Sequence, residues 1–164
     1  MFESHFLRWI DKIYSFFIKI GSNLQSLFIL YMRLVWGHQF FIGGLKKFSE
    51  IEQVAQMLTV LNFPTPHFNA YFLATFETLC GFLIFFGLAS RLAAIPMAII
   101  MITALSTYHA SVLADLQFLV HPSILVHEAP YPYLLTAIIV FVFGPGKVSL
   151  DGWIKRWATR QPKY

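Results

Sequence analysis

The sequence predicts an all-α integral membrane protein, in which an N-terminal amphipathic surface helix precedes a four-helix bundle. Hydrophobic residues make up 57% of the chain and charged residues 12%, whereas a soluble domain carries about 25% charged residues. Four apolar runs follow one another, and the basic residues gather mainly in the connections on one side of them. The net charge of +4 does not indicate a nucleic-acid partner, because these basic residues lie at the ends of apolar runs. The lipid bilayer is the partner that the composition favours.

The N-terminal residues 1–23 place apolar side chains at helical spacing, among them Trp9, Ile13 and Phe17, while basic residues fill the other side. This pattern is typical of a helix that lies in the membrane interface. A helix packed on a partner protein is the alternative. The Gly-Ser-Asn sequence at residues 21–23 is predicted to break this helix before the first span.

The bundle is predicted at residues 24–145, and a basic cytoplasmic tail follows at residues 146–164. A spanning helix needs about 20 apolar residues. Four segments approach or reach that length, and we predict spans at residues 24–45, 69–88, 92–108 and 130–143.

The connections between the spans also carry local signals. Ser49 and Glu52 form a capping-box pattern, which predicts a short surface helix after the first span. Residues 89–91 form so short a turn that the second and third spans are expected to be antiparallel neighbours. Residues 109–129 mix apolar and polar side chains, and we predict that they fold back on the membrane surface or partly re-enter the membrane.

The distribution of basic residues predicts that both termini face the cytoplasm. With the N-terminus inside, the inner segments carry nine basic residues and the outer ones carry two. Cytoplasmic loops are enriched in lysine and arginine. The inner set is Arg8, Lys12, Lys19, Arg91, Lys147, Lys155, Arg156, Arg160 and Lys163, and the outer set is Lys46 and Lys47.

Two charged residues, Arg33 and Glu77, lie inside apolar runs. An arginine at the centre of a spanning helix costs about 2.5 to 3.5 kcal/mol, so a compensating partner is expected. If the first span starts near Leu24, a rise of about 1.5 Å per residue puts Glu77 level with His38 and about 6 Å outward of Arg33. We therefore predict an ion pair between Arg33 and Glu77 on neighbouring helices.

Small residues share the predicted faces of both charges, which predicts close helix contact there. Glu77 shares its face with Ala70, Ala74 and Gly81, and Arg33 shares its face with Gly37 and Gly44. Two interpretations of the pair stay open at this point. It either fixes the packing of two helices or marks a path for a substrate, a quinone or protons. His38 is a weaker candidate, because its face is rotated away from that of Arg33.

The loop at residues 109–129 carries side chains that suit a lid over a site, namely His109, His121, His127 and Glu128. Histidine and glutamate also bind divalent metals. None of these residues has the spacing of an HExxH site, so we predict no metal site. The single cysteine, Cys80, is predicted to be a packing residue.

The sequence resembles the DoxX family of small bacterial membrane proteins. The resemblance rests on Arg33, Gly37, Gly44, Lys47 and Phe48, on ETLCGFLIFFGLASRLAA from Glu77, and on GPGKVSLD from Gly144. It implies a four-helix protein of the bacterial inner membrane, in a family linked to thiosulfate:quinone oxidoreductase subunits and to complexes that handle oxidative stress and thiols.

For function, the leading expectation is a redox-associated subunit that binds a quinone or a thiol-linked substrate near Arg33 and Glu77 and receives electrons from a redox partner protein. The competing expectation is a non-catalytic scaffold or a small-solute permease. Whether the chain is itself an enzyme stays open, and self-association into a homo-oligomer is a further candidate interaction.

Overall fold

The computed structural model describes residues 2–107, 123 and 126–159. These residues form helices joined by short turns, and they contain no strand. The helices are α1 (Phe2–Met32), a π-helical segment (Arg33–Gly37), α2 (His38–Ser49), α3 (Ile51–Val60), α4 (Pro66–Phe86), α5 (Ser90–Thr107), α6 (Pro130–Phe143) and α7 (Leu150–Thr159).

Three of the described helices are long and apolar enough to cross a membrane. They are the continuous helix Arg8–Ser49, then Pro66–Phe86 and Ser90–Thr107, while Pro130–Phe143 is apolar but shorter. The all-helical class predicted from the sequence is confirmed. Helices α4, α5 and α6 begin and end within three residues of the ranges predicted for the last three spans.

The helix break predicted at residues 21–23 is wrong. Helix α1 continues through these residues to Met32 and leads directly into the π-helical segment. A glycine inside a helix costs only about 1 kcal/mol relative to alanine, and helix extension from an existing helix is favourable. The side chains of residues 8–24 are exposed along this stretch.

The capping box predicted from Ser49 and Glu52 is also wrong. Ser49 is the last residue of α2, and Glu50 occupies the N-cap of α3 without a side-chain capping hydrogen bond. One residue therefore joins the two helices, and the serine hydroxyl is not placed at the start of α3. The short helix itself is present.

Helices α2 and α4 pack antiparallel at close range, and glycines make the approach possible. A methyl group on Gly44 would overlap the backbone of Thr78, and one on Gly81 would overlap the backbone of Phe41. Ala70 and Ala74 are fully buried on the same helix as Glu77. The prediction that small residues bring these helices together is confirmed.

Helix α4 also packs against α5, which in turn packs against α6. Ile84, Met97 and Val140, one from each helix, are fully buried in this core. These packed helices are called the bundle below, and the bundle has two ends. The α3 end holds α3 and the start of α4, and the α7 end holds α7, the turn between α4 and α5, and the loop at residues 144–149.

Helix α7 is fixed to the bundle by its first turn. The Asp151 carboxylate accepts hydrogen bonds from the backbone N–H groups of Ala89 (2.9 Å) and Ser90 (3.3 Å). The Asp151 N–H donates to the carbonyl of Gly87 at 3.0 Å. Asp151 thus satisfies N–H groups at the start of α5 that have no partner within that helix, and it joins α7 to the turn between α4 and α5.

Candidate functional site

Arg33 lies at the α7 end, where its guanidinium is surrounded by backbone carbonyls. Nε donates to the carbonyl of Ile84 at 2.9 Å and Nη2 to that of Phe85 at 3.1 Å. Nη1 donates to the carbonyls of Pro145 and Val148, the latter at 3.0 Å. The residue is 1% exposed. The last carbonyls of a helix have no intrahelical partner and carry partial negative charge, so the end of α4 is a favourable place for this cation.

The chain leaves room for the guanidinium at the end of α4. Gly87 has φ +72, and a Cβ there would overlap the guanidinium of Arg33. Arg33 also begins the π-helical segment, and π-helical turns are rare and frequently occur at functional sites. Arg33 therefore connects the first long helix to the end of α4 and to the loop at residues 144–149.

Glu77 lies nearer the α3 end, and its ion-pair partner is Lys47 of α2. The Glu77 side chain is 5% exposed and the Lys47 side chain 32%. The neighbouring residues Lys46 and Glu50 form a second pair at 3.7 Å, with side chains 70% and 41% exposed. The two adjacent lysines therefore differ in burial, because Lys47 points toward α4 and Lys46 lies on the surface.

The predicted pair between Arg33 and Glu77 is wrong. Lys47, which binds Glu77, follows Arg33 by about four helical turns, or about 21 Å at a rise of about 1.5 Å per residue. The sequence-based depth placed Glu77 level with His38, whereas Gly44 packs on the adjacent residue Thr78. The error arises because the first apolar run is longer than the part of it that packs against α4.

The ion pair lies in the wall of a cavity of about 450 Å³ at the α3 end. Most of the wall is apolar, and Gln39 and Tyr133 add polar groups to it. The Tyr133 hydroxyl donates to Oε1 of Gln39 at 3.3 Å, and the Trp36 ring lies 5.4 Å from the Tyr133 ring. The apolar lining includes Phe40, Leu58, Phe63, Phe72, Leu73 and Met101. A volume of this size, with a few polar groups on an apolar wall, is typical of a small-molecule site.

The other candidates predicted from the sequence do not line this cavity in the described part of the chain. His38 is exposed and lies outside the cavity lining, with its ring 6.1 Å from that of Phe85. His127 is exposed and Glu128 half-buried, and they directly precede Ala129, which lines the cavity. The predicted lid residues His109 and His121 lie outside the described part of the chain.

Lys47 is the site residue that the sequence-based prediction missed. Both Lys46 and Lys47 are counted from the sequence only as outer basic residues, although one of them lies on the packing face of the helix. Lys47 comes three residues after Gly44 and seven after Phe40, and both of these are buried. Spacing of three, four and seven residues marks one face of a helix, so this signal was present in the sequence.

An all-helical fold with apolar helices and charged residues buried between them defines a small helical membrane protein in contact with lipid. The family model DoxX matches residues 28–110, a range that contains Arg33, Lys47 and Glu77. The chain belongs to the DoxX family.

Two relatives are similar over most of the chain. "Putative oxidoreductase CatD" of Bacillus subtilis is 32% identical over 125 residues, which cover 76% of this chain and 85% of CatD. An uncharacterized protein of Haemophilus influenzae is 30% identical over 141 residues, which cover 84% of this chain and 87% of that protein. No solved structure matches the chain.

Proposed function

We propose that this protein is a redox-associated subunit of a bacterial inner-membrane complex, and that it binds a quinone or a thiol-linked substrate in the cavity beside Glu77 and Lys47. The observation that carries the proposal is the position of this ion pair, between the buried Glu77 and the half-buried Lys47, in the wall of an apolar cavity. Charged residues inside membrane helices are costly and mark substrate, ion or proton pathways. The name of the Bacillus subtilis relative supports the redox class.

The groups that line the cavity suit a ligand with a polar head and an apolar body. The Lys47 ammonium is a donor for a quinone oxygen, and the Glu77 carboxylate is an acceptor for a hydroxyl or thiol. The aromatic and aliphatic walls are suited to a ring or an isoprenoid chain. In this proposal a partner protein supplies the electrons, while Glu77 and Lys47 orient the ligand and exchange protons with it.

The proposed topology has four spans with both termini in the cytoplasm. Helix α6 is 14 residues long, or about 21 Å, so it crosses a hydrocarbon core of about 30 Å only where the bilayer is locally thin. Because α1 continues into the first span without a break, its residues before about Leu24 then extend out of the hydrocarbon core on the cytoplasmic side. Reporter fusions should place residue 56 outside and residue 163 inside.

Quinone binding can be followed by the fluorescence of Trp36, whose ring neighbours the cavity residue Tyr133. The other tryptophans, Trp9, Trp153 and Trp157, are all exposed and can be replaced by phenylalanine. A short-chain quinone should then quench Trp36 saturably. Glu77→Gln and Lys47→Met should each weaken binding by about tenfold, the effect of losing one hydrogen bond to a charged group.

Lys46→Met and Glu50→Gln are the matched controls, since they make the same chemical changes in the adjacent exposed pair. Both should leave the quinone affinity unchanged.

A further variant, Gly43→Leu, tests the cavity itself. It adds a side chain at a cavity residue whose Cβ position is open, so it should fill part of the cavity and abolish saturable quenching.

Equal quenching in all of these variants would mean that the quinone only partitions into the detergent, and the quinone assignment would fail. The same variants should then be titrated with a small thiol, and equal behaviour there would remove the redox assignment as well. Substrate-dependent uptake into liposomes by the protein alone would instead identify a permease.

A further inference from the structure

A second cavity, of about 590 Å³, lies at the α7 end of the bundle. Its walls come from α1, from the turn between α4 and α5 and the first turn of α5, from the end of α6 and the loop that follows it, and from α7. Three cationic side chains line it, Arg91, Lys147 and Lys155, together with one carboxylate, Asp151. It is separate from the cavity beside Glu77, and no residue lines both.

The carboxylate in this cavity is already engaged, whereas the cations are not neutralised. Asp151 accepts hydrogen bonds from the backbone N–H groups of Ala89 and Ser90. None of the three cations forms an ion pair with another described residue. The cavity therefore has an excess of positive charge that suits an anion.

The contacts of the cations hold two of them in place without removing their charge. Lys147 Nζ donates to Asn23 Oδ1 at 3.2 Å, and its backbone N–H donates to Ser26 Oγ at 2.8 Å. Arg91 Nη2 donates to the carbonyl of Val142 at 3.3 Å. All three acceptors are neutral, so an anion in the cavity would meet positioned donors.

The cavity continues onto an apolar surface that faces outward from the bundle. Leu92 and Phe143 line it and are 71% and 57% exposed. Leu92 lies in the first turn of α5, and Phe143 is the last residue of α6. A polar, cationic recess beside outward-facing apolar side chains matches a lipid, which carries a phosphate next to acyl chains. Basic pockets between helices bind anionic head groups in this way.

We infer that this cavity binds the phosphate head group of an anionic phospholipid, with Arg91, Lys147 and Lys155 around the phosphate and the first part of an acyl chain against Leu92 and Phe143. The inference is independent of the ligand proposed for the cavity beside Glu77. It gives the α7 end a defined lipid contact, in addition to the general contact of the helices with the bilayer.

The test compares lipid retention in native mass spectrometry of the full chain, purified in a mild detergent and supplied with phosphatidylglycerol or phosphatidylcholine. The wild type should bind one phosphatidylglycerol in clear preference to phosphatidylcholine. Replacing Arg91, Lys147 and Lys155 together by glutamine should lower that affinity about 100-fold, since each basic residue near an anionic lipid contributes about fivefold. A control with Lys12, Lys19 and Lys46 replaced by glutamine has the same change in net charge and should keep the preference.

The single variant Lys155→Gln provides the same test if the triple variant does not fold. Lys155 is exposed on α7, and its replacement should weaken phosphatidylglycerol binding about fivefold. Equal losses in Lys155→Gln and Lys12→Gln would overturn the site, because binding would then follow net charge alone. Glycerol phosphate or inorganic phosphate that displaces the lipid at equimolar concentration would overturn the lipid assignment, since the acyl contacts would then contribute nothing.

Discussion

The two ends of the bundle each bury a charged side chain, and they compensate it in different ways. At the α7 end, Arg33 donates four hydrogen bonds to backbone carbonyls of α4 and the loop at residues 144–149. At the α3 end, Glu77 is bound by the flexible side chain of Lys47 and lies beside a cavity of about 450 Å³. The first charge is held by fixed dipoles, and the second by a group that can move.

This difference indicates which charge stabilises the fold and which is available to a ligand. Backbone carbonyls cannot leave Arg33 without unfolding the end of α4, and the planar guanidinium matches several acceptors at once. A lysine on a flexible stem can instead shift from Glu77 to a ligand oxygen with little change in the helices. We therefore assign a structural role to Arg33 and a ligand-binding role to Glu77 and Lys47 as the working hypothesis.

The largest effect is expected for Arg33→Leu. The substitution leaves the carbonyls at the end of α4 and in the following loop without their donor, in a buried place. Removing one member of a buried charged interaction costs about 3 to 5 kcal/mol, and the free energy of unfolding in detergent should fall by about this amount. Arg33→Lys should recover only part of the loss, because an ammonium cannot reach all four acceptors.

Arg91→Leu is the comparison for this experiment. Arg91 is exposed and makes one long hydrogen bond, at 3.3 Å, to the carbonyl of Val142, so its loss should cost within about 1 kcal/mol. If the two leucine variants were equally stable, Arg33 would not hold the α7 end together, and the contrast between the two ends would disappear.

The helices were predictable from the sequence because their signals are local. Apolar runs and turn residues placed α4, α5 and α6 closely, and the small residues at Gly44 and Gly81 marked the face where α2 meets α4. The continuous helix from Phe2 to Ser49 was not predicted, since the Gly-Ser-Asn sequence only weakens a helix at that point.

The partners of the two charges were harder to predict, because they depend on how far one helix is shifted along another. The first helix has more apolar length than the bundle uses, so its composition does not fix which part packs against α4. The carbonyls that bind Arg33 also carry no sequence signal, since every residue has one. The cavity depends on packing of α2, α3, α4, α5 and α6 together, which no local pattern specifies.

A smaller effect is expected at the other end, where Glu77→Gln and Lys47→Met should each cost about 1 to 3 kcal/mol, the penalty of leaving a buried charged partner unsatisfied. Replacing both residues by apolar ones should cost less than the two single changes together, because no unpaired charge remains. The measurement is the unfolding of the four proteins in detergent.

The exposed pair again provides the matched control. Lys46→Met and Glu50→Gln, alone or together, should change the free energy of unfolding by less than about 0.5 kcal/mol, as is typical of exposed helix pairs. Losses as large as those at Lys47 and Glu77 would show that burial does not explain how much the pair of Lys47 and Glu77 stabilises the fold.

The smallest expected effect is the coupling between Arg33 and Glu77. The sequence suggests a pair, for which Arg33→Leu with Glu77→Leu would recover much of the stability lost in the single variants. In the structure the two residues have different partners, and Ile84, whose carbonyl binds Arg33, follows Glu77 by seven residues of α4, or about 10 Å. The stability effects of sites at least about 7 to 10 Å apart with no shared partner usually add within about 0.5 kcal/mol. The double variant should therefore lose the sum of the two single losses, whereas the cycle of Lys47 and Glu77 should depart from additivity by about 1 kcal/mol or more. A coupling between Arg33 and Glu77 as large as that between Lys47 and Glu77 would mean that the two ends of the bundle do not act independently, and that one charge network runs along the first helix.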